Sequence, residues 1–597
     1  MTTSTTMRTG TIALALTGAI LAGCAQNNTA PPVITEPPKP PVETGLVYLD
    51  QGWQSGQRDA FYAGPQGSEV MLLSWVRALK QADGAPFLAG NLGRYGYLPN
   101  PDSAAGLPVG FTAAGAPGSE QFGMTCAACH TREIDVAGRP YRIDGGPAIV
   151  DFQPFLEDLN AAVKRALASP AAFKDFADAV LGDGAKPAAV AKLHKDLKAW
   201  ELRFDTLVRK ALPQPAWGPS RLDAVGMIFD RLTGLDIGTS SDYLIPANIK
   251  KADAPVRYPF LWNAPIQDRT QWPGFAENGS DILGLARNLG EVYGVFATFH
   301  PKKNFLNILF GANFIKNNSA DFKGLGALED LIKKLSPPKW PWALDPALVA
   351  EGKAIYERKD NDGCVSCHAV PPNVPAGATR FPNQQTWETK ILNVDTDTRE
   401  YDILNWKAET GVLKGTGIPF VVTLKPVDTA FNILSVSVLG SIVQHYLPIT
   451  SNFMVQSGGA KAKRDAGEDK SGFTPDEVDL KQAFQTPGKT AEAPKYAYES
   501  RVLQGIWAAA PYLHNGSVPS LAELLKRPED RVASFKVGPA YDIDNVGLAA
   551  VQTKFDYVLT TTGCDQKNSG NSRCGHDYGT KLSEKEKRAL LEYLKSL

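Results

Sequence analysis

The chain has few of the side chains that bind metals or form covalent links: its 597 residues include seven histidines, seven cysteines and six methionines. Its formal net charge is −1, so no polyanion-binding surface and no nucleic-acid partner are expected. After residue 24 no apolar run suits a membrane span. The nearest, FNILSVSVLGSIVQHYLPI, contains serines, Gln444 and His445, and therefore predicts a buried helix. The composition, 43% hydrophobic and 21% charged, is that of a globular protein, and the length predicts about two to four domains.

Residues 1–24 have the pattern of an export signal. Arg8 is the short basic region, and TIALALTGAILAG is an apolar run too short for a comfortable membrane span. The sequence Leu-Ala-Gly before Cys24 resembles a bacterial lipobox, which implies cleavage there and lipidation of the Cys24 thiol. The alternative is an ordinary signal peptide that ends in a cysteine. Residues 25–44 are polar and Pro-rich, as expected of a tether. The protein is therefore expected to be exported and lipid-anchored, in the periplasm or at the outer membrane and cell surface.

Four of the remaining cysteines form two CxxCH motifs, the attachment pattern of c-type haem. The first contains Cys126, Cys129 and His130, and the second contains Cys364, Cys367 and His368. In this pattern two thiols bind the two vinyl groups of one porphyrin, and the histidine becomes the proximal iron ligand. A zinc site would need further ligands nearby, and a redox disulfide would not need the histidine. Two covalently bound haem c groups are predicted.

The second motif follows a short helix that begins at an Asp345 cap with Pro346 in its first turn. A second amphipathic helix, LSEKEKRALLEYLKSL, ends the chain and begins with a capping box of Ser583 and Glu586. These two helices are typical of a cytochrome c fold. The expected fold is mainly α with long irregular loops, in two cytochrome c-like haem domains, 45–335 and 341–597. The polar segment 457–477 is expected to be a mobile surface insertion.

The loop before the last helix should supply the second axial ligand of the C-terminal haem. This ligand is most often Met in cytochrome c domains, but the loop contains no Met and does contain His576. His368 and His576 are therefore predicted to hold this haem from both faces, and the alternative is that His576 is a surface histidine in a polar loop. Cys564 and Cys574 are predicted to close the loop as a disulfide in an oxidising compartment. His514, in the turn PYLHNGS, is either the rival ligand or a side chain that touches a propionate or the backbone near this haem.

The segment RVLQGIWAAAPYLHNGSVPSLAELL, together with the two motifs and the last helix, resembles the bacterial di-haem cytochrome c peroxidase and methylamine-utilisation superfamily. Further segments, among them WGPSRLDAVGMIFDRL and YPFLWNAPIQDRTQWPGF, resemble the branch of exported rubber oxygenases. The resemblance runs in patches from about residue 52 to the end. It implies that the C-terminal haem relays electrons, and that the haem on His130 keeps an open distal face where O2 or H2O2 reacts.

The resemblance also suggests residues for the distal pocket of the His130 haem. The candidates are Trp262, Trp272, Phe275, Arg287 and Glu291. The aromatic residues are otherwise ordinary core side chains, and Arg287 is otherwise part of a surface salt bridge. Peroxidases of the superfamily pair a distal Glu with a Gln, which would be expected about ten residues before Glu291. Positions 281 and 282 are Asp and Ile, so simple peroxidase chemistry is in doubt.

Two classes of function follow. The first is a haem-dependent oxidoreductase that activates O2 or H2O2. It is either a dioxygenase that cleaves a small or polymeric apolar substrate such as polyisoprene, or a peroxidase served by a donor cytochrome or cupredoxin. The second is a non-enzymatic electron-transfer cytochrome in which both irons are six-coordinate.

Overall fold

The structure is a computed structural model that describes residues 45–303, 311–359, 363–368, 389–418, 422–446 and 495–597. The predicted signal segment 1–24 with Cys24, the tether up to residue 44 and the insertion 457–477 lie outside the described residues. These features stay predictions.

The described helices are mostly short and begin at polar caps. They are α1 (Ser55–Ala63), α2 (Leu73–Ala78), α3 (Phe152–Leu167), α4 (Pro170–Leu181), α5 (Pro187–Ala211), α6 (Ala224–Phe229), α7 (Asp281–Gly294), α8 (Phe322–Lys333), α9 (Pro346–Tyr356), α10 (Val365–His368), α11 (Arg399–Ile403), α12 (Ala430–Tyr446), α13 (Leu521–Leu524) and α14 (Glu584–Ser596). Helix α6 continues directly into a π-helix, Asp230–Asp236. The predicted caps are confirmed: Asp345 accepts from the first turn of α9, and Ser583 with Glu586 forms a capping box on α14.

Strands are more frequent than the sequence predicted. They are β1 (Val47–Tyr48), β2 (Met71–Leu72), β3 (Phe111–Ala114), β4 (Gln121–Met124), β5 (Thr131–Val136), β6 (Arg139–Asp144), β7 (Arg221–Leu222), β8 (Val256–Arg257), β9 (Arg269–Thr270), β10 (Ala276–Glu277), β11 (Lys302–Lys303), β12 (Ala312–Asn313), β13 (Ile391–Leu392), β14 (Lys407–Glu409), β15 (Gly417–Ile418), β16 (Val422–Thr423), β17 (Val427–Thr429), β18 (Tyr498–Glu499), β19 (Ser534–Lys536), β20 (Tyr541–Asp542), β21 (Gly547–Leu548) and β22 (Val558–Thr560). The three-stranded sheets have the orders β1-β6-β5 and β2-β4-β3, and the other strands form two-stranded ribbons.

The prediction of a mainly α fold is therefore wrong. The residues that the structure describes are 40% helical and 15% strand, with many small sheets, and their fold is mixed α/β. The physical reason lies in the 54 glycines and 44 prolines, which divide the chain into loops that pair locally over two or three residues. Strands this short show no alternating hydrophobic pattern in a sequence, because such a pattern needs about four residues or more.

Thr44–Leu597 forms one compact unit. One hydrophobic cluster contains Trp53 and Tyr62 from the N-terminal part together with Tyr356, Trp507 and Leu594 from the C-terminal part. Residues from both sides of the predicted boundary thus share a core, and the division into 45–335 and 341–597 stays a prediction.

Helices α9 and α14 cross at a glycine. A Cβ on Gly352 would lie 1.9 Å from the carbonyl oxygen of Ala589, so the backbones approach as closely as glycine allows. Beside the crossing, the rings of Tyr356 and Tyr593 lie 5.2 Å apart. The backbone N–H of Cys364 donates to the carbonyl of Tyr356 at 3.0 Å, so the end of α9 places the second CxxCH motif.

The described part of the apolar segment noted in the sequence, residues 431–446, lies in α12, where nine hydrophobic and small residues are buried around Ser437 and Ser441. The hydroxyl groups of Ser441 and Tyr293 lie 2.8 Å apart, so α12 packs against α7. Within the described residues, no helix has both the length and the apolar character that crossing a membrane requires.

Candidate functional site

The first CxxCH motif forms a tight turn between β4 and β5. The N–H of His130 donates to the carbonyl of Cys126 at 2.9 Å, and Nδ1 of His130 lies 2.8 Å from the carbonyl oxygen of Pro259. That contact fixes Nδ1 as the donor and leaves Nε2 as the free acceptor. Burial lowers the pKa of His130 to about 4. The imidazole is therefore neutral at physiological pH, which a metal ligand requires.

His130, Cys126 and Cys129 line a large cavity, the His130 cavity, of about 1420 Å³ including its mouth. Three of the predicted distal residues line it: Trp272, Arg287 and Glu291. The other two do not. Trp262 donates its indole N–H to Gln504 O at 2.8 Å in the core, and Phe275 packs edge-on against Phe431 with ring centres 5.6 Å apart.

The His130 cavity contains a Gln–Glu pair that no motif in the sequence predicts. Nε2 of Gln271 donates to Oε1 of Glu291 at 2.5 Å, and both side chains line the cavity. The glutamine stands twenty residues before Glu291 rather than ten. Burial raises the pKa of Glu291, although the bond from Gln271 and the charge of Arg287 oppose this shift. Glu291 is therefore suited to hold a proton beside the cavity.

Arg287 is engaged on the wall of the cavity. Its Nη2 lies 2.6 Å from Oε2 of Glu329, and its Nη1 donates to Oδ1 of Asn278 at 2.5 Å. The predicted salt bridge is thus present, but it is buried rather than on the surface: the side chain of Arg287 is 10% exposed and that of Glu329 8%. Arg287 fixes the start of α7 while one edge of its side chain faces the cavity.

The second CxxCH motif lines another cavity, the His368 cavity, of about 1290 Å³ including its mouth. Nδ1 of His368 lies 2.7 Å from the carbonyl of Arg501, which again leaves Nε2 as the acceptor. Burial lowers the pKa of His368. His576 lines the same cavity, and its ring centre lies 6.2 Å from that of His368. The structure therefore brings together the two predicted ligands of the C-terminal haem.

Backbone contacts hold His576 from both sides. Its N–H donates to Val394 O at 2.8 Å, and its carbonyl accepts from Nη2 of Arg531 at 3.0 Å. The predicted disulfide between Cys564 and Cys574 is present in the structure and constrains the loop two residues earlier. Burial, followed by the charges of His368 and Arg531, lowers the pKa of His576 to about 3. Its ring is neutral, as an axial ligand must be.

His514 also lines the His368 cavity, but it is held by a carboxylate. Its Nε2 lies 2.7 Å from Oδ2 of Asp397, and its ring stacks on Tyr498 with centres 3.8 Å apart. Asp397 is buried, and the charge and hydrogen bond of His514 lower its pKa. This placement supports the interpretation of His514 as a neighbour of the haem rather than its ligand.

Three side chains line both cavities: Arg257, Trp272 and Arg501. The guanidinium carbon of Arg257 lies 4.7 Å from the ring centre of Trp272, and that of Arg501 lies 5.7 Å from it. The indole N–H donates to Arg257 O at 3.2 Å. The sequence suggested Trp272 but neither arginine, because a buried arginine cannot be told from a surface one without its contacts.

Residues 497–536 match the family model described as RoxA-like, cytochrome c-like. This range contains Tyr498, Arg501 and His514 of the His368 cavity. The chain therefore contains a RoxA-like cytochrome c domain, which implies haem c and is consistent with a haem-containing oxidoreductase.

The chain is also similar over most of its length to two proteins of Sinorhizobium fredii. "Uncharacterized protein y4iJ" is 28% identical across 92% of this chain and 93% of its own length. "Uncharacterized protein y4iM" is 24% identical across 66% of this chain and 75% of its own length. Their names assign no activity, so the chemistry is argued from the cavities.

The residues present fit haem in both cavities. A metal–imidazole bond of about 2 Å on each face, plus roughly 1 Å from nitrogen to ring centre, gives a ring separation of about 6 Å. This is the separation of His368 and His576. Four residues that line the cavities also carry a buried polar atom without a hydrogen-bond partner among the described residues: Nη1 of Arg257 and Oγ1 of Thr125, Thr270 and Thr396. Such atoms suit the propionates and edges of a porphyrin.

Proposed function

We propose that the protein is an exported di-haem c-type oxidoreductase that activates O2 or H2O2 in the His130 cavity. Electrons would reach this cavity through a second haem held by His368 and His576. The observation that supports the proposal most directly is the pairing of these cavities: one has two facing imidazoles, and the other has His130 and a Gln–Glu pair.

The residues of each cavity take separate roles. Cys126 and Cys129 in one cavity, and Cys364 and Cys367 in the other, would hold the two porphyrins as thioethers. When bound, haem supplies an iron centre that exchanges single electrons and, where one axial position is open, binds oxygen species. Two neutral histidines would fill both axial positions in the His368 cavity, so that cavity serves electron transfer.

Glu291 would be the proton-carrying group of the His130 cavity. Its raised pKa favours a protonated Oε1 or Oε2, and Gln271 Nε2 holds the carboxyl in place. A carboxyl that is buried beside the reacting oxygen can deliver and accept the protons that reduction of a peroxide bond requires. Arg287, fixed by Glu329, would keep positive charge at the same wall.

Trp272 would lie on the electron route, since it lines both cavities. The carbonyl of Trp272 accepts from the N–H of Glu499 at 2.7 Å, which ties the segment to β18. Arg257 and Arg501 lie over the ring of Trp272, and its indole N–H donates to the carbonyl of Arg257. These contacts hold the ring in one orientation. A rigid aromatic ring between two redox centres shortens the distance that each electron must cross.

The Gln271–Glu291 pair supports peroxidase activity as a second candidate, with a donor cytochrome or cupredoxin as the electron source. Oxidative cleavage of an apolar substrate such as polyisoprene is supported by the resemblance to the rubber oxygenases and by Met227, Ile228 and Val295 on the wall of the His130 cavity. Incubation with hydrogen peroxide and a reduced donor cytochrome tests the peroxidase activity, and incubation with polyisoprene latex under oxygen tests the oxidative cleavage.

Absorption and EPR spectra of the holoprotein test the haem assignments. The expected result is one low-spin haem and one haem that binds CO after reduction. Two low-spin haems that both exclude CO would leave a non-enzymatic electron-transfer cytochrome. His576→Ala should convert the low-spin haem to a high-spin or re-ligated form, while the matched His514→Ala should perturb it less. The reverse order would exchange the roles of the two histidines.

Export and lipid attachment at Cys24 are also part of the proposal and rest on the sequence alone. Labelling cells with a radioactive fatty acid should mark the wild-type protein and leave Cys24→Ala unlabelled. A label that persists in Cys24→Ala, or its absence from both proteins, would contradict lipidation at this residue.

A further inference from the structure

The histidines of the two CxxCH motifs each contact one backbone carbonyl. Nδ1 of His130 lies 2.8 Å from the carbonyl oxygen of Pro259, and Nδ1 of His368 lies 2.7 Å from that of Arg501. In each case the contact fixes the tautomer and the orientation of the ring that lines the cavity. Whatever holds these two carbonyl groups in place therefore determines how each imidazole would meet an iron.

One side chain connects the two carbonyl groups. Nη2 of Arg501 donates to the carbonyl of Phe260 at 2.8 Å, and its guanidinium carbon lies 4.3 Å from the ring centre of Phe260. Phe260 follows Pro259 directly in the chain and is fully buried. Arg501 contacts His368 through its backbone carbonyl. Through its guanidinium it holds Phe260, and with it the Pro259 carbonyl that His130 contacts.

The guanidinium of Arg501 lies where a charge is costly. The side chains of Arg501 and Glu499 are 6% and 0% exposed, and Nη1 of the arginine lies 3.2 Å from Oε1 of the glutamate. A buried ion pair loses the hydration of both ions, and apolar side chains of similar size are often at least as stable in its place. Stability alone therefore does not require a charged pair here. Apolar side chains could not supply the directed hydrogen bond to Phe260.

Arg257 provides a comparison. It lines the same two cavities, and its guanidinium lies over the ring of Trp272 as that of Arg501 does. Its Nε donates instead to the carbonyl of Leu513 at 3.0 Å. Among the described residues, no hydrogen bond joins its side chain to Phe260. The two arginines thus bring the same charge to the same place and differ in the bond to Phe260.

We propose that Arg501 is a positioning residue shared by the two haem centres. Its backbone carbonyl orients His368. Its guanidinium fixes the Phe260 carbonyl and thereby the contact between Pro259 and His130. The inference rests on the proposed binding of haem at both motifs. A hydrogen bond from Nδ1 makes an imidazole a better electron donor to its metal. The segment that builds the His368 cavity would therefore also set the donor strength of the histidine in the other cavity.

Exchange of the two Nδ1 protons with deuterated water, followed by proton NMR of the holoprotein, tests the proposal. The variant Arg501→Met is made together with Glu499→Gln, so that no unpaired carboxylate stays buried. Loss of the bond to Phe260 should speed exchange of the His130 proton at least about tenfold. The His368 proton should exchange within about twofold of its wild-type rate, because its partner is a backbone carbonyl that the variant keeps.

Two controls separate the hydrogen bond from the charge. Glu499→Gln alone keeps Arg501 and its bond to Phe260, and Arg257→Met removes an equal charge beside Trp272. Both should leave exchange of the His130 proton within about twofold of wild type. Unchanged exchange in the double variant, or equal acceleration at both histidines, would refute the positioning role. Equal acceleration in Arg257→Met would assign the effect to charge and would refute it as well.

Resonance Raman spectra of the reduced protein give a second readout. A haem with an open face on His130 should show an iron–histidine stretch, and this band should move to lower frequency in the double variant and not in the two controls. Absence of the band from the wild-type protein would refute the proposed open haem. The exchange experiment would still decide the role of Arg501, because it does not require an open coordination position.

Discussion

Arg531 should determine whether His576 stays in position to bind iron. The residue is 3% exposed, and its guanidinium donates to the carbonyl groups of Leu524, Lys526, Arg573, Gly575 and His576, at distances of 2.7–3.2 Å. No carboxylate among the described residues forms an ion pair with it. Burial lowers its pKa to about 10, so it remains charged at neutral pH. The charged guanidinium of Arg531 therefore donates its hydrogen bonds to backbone carbonyl groups rather than to a carboxylate.

The free-energy cost of removing Arg531 follows from the hydrogen bonds that it donates to the loop that carries His576. Three of the five go to Arg573, Gly575 and His576. Each hydrogen bond to a charged group contributes about 1.5–3 kcal/mol, but freed carbonyls on a loop regain part of this from water, which leaves about 1 kcal/mol each. Arg531→Met should therefore weaken the closed loop by about 3 kcal/mol, which shifts the balance towards released His576 by about two orders of magnitude.

The assay is the spin state of the haem held by His368. Compared with wild type, Arg531→Met should show a larger high-spin fraction, and its His368 haem should bind CO after reduction. Added imidazole should restore the low-spin spectrum. The matched control is Arg527→Met, which removes an exposed arginine whose ion-pair partners in the described part of the chain are Glu529 and Asp530. A wild-type spectrum in Arg531→Met, an equal effect of Arg527→Met, or no rescue by imidazole would refute this reasoning.

Three further predictions concern the other cavity and the fold. Glu291→Gln keeps the shape of the side chain but cannot hold the proton, so peroxide-dependent oxidation of a donor cytochrome should fall about 10²-fold or more at an unchanged haem spectrum. Gly352→Ala should cost at least about 3 kcal/mol in chemical denaturation, because the new Cβ meets Ala589 O at 1.9 Å. Burial raises the pKa of Asp151 to about 7, so its stabilising effect is complete below about pH 4 and is lost as pH rises through 7; Asp151→Asn should be more stable than wild type at pH 8 and not at pH 4.

Each of these predictions has a matched comparison. Gly326→Ala, in α8, adds a Cβ with no atom within 4 Å and should be neutral or stabilising by about 0.5–1 kcal/mol. The exposed Asp102→Asn should change the melting temperature equally at both pH values. Glu291→Asp tests proton transfer further, because it keeps a carboxyl group and should retain more peroxide turnover than Glu291→Gln. Equal turnover in both variants would contradict the role of Glu291.

The parts of the fold that could be predicted are those set by local sequence. Asp345 with Pro346, and Ser583 with Glu586, define helix starts through contacts within one turn, so the two crossing helices were visible in the sequence. The small sheets could not be predicted, because partners such as β13 and β18 lie about a hundred residues apart and are two residues long. Their pairing depends on tertiary packing and leaves no periodic pattern.

The candidate site follows the same division. The cysteines and histidines of the motifs follow from spacing, and His576 from its place before a capped helix. Trp272 and Trp262 look alike in one segment, yet one lines both cavities and the other lies in the core. Gln271 could not be predicted from the sequence, because its hydrogen bond to Glu291 depends on a bend of the chain and not on the spacing of residues along a helix.

That bend connects the two halves of the proposed chemistry. Gln271 and Trp272 both have positive φ, 72° and 48°, a conformation that costs an ordinary residue about 1–3 kcal/mol and persists only where surroundings impose it. The bend turns Gln271 towards Glu291 and leaves Trp272 against Arg257 between the cavities. Gln271 holds the carboxyl group of Glu291, and the next residue, Trp272, provides the aromatic ring between the cavities. Movement of this segment would therefore disturb the proposed proton supply and the proposed electron supply together. In the proposed reduction of peroxide, which consumes one proton for each electron, this one strained segment would keep the carboxyl that delivers protons and the ring that passes electrons in a fixed arrangement.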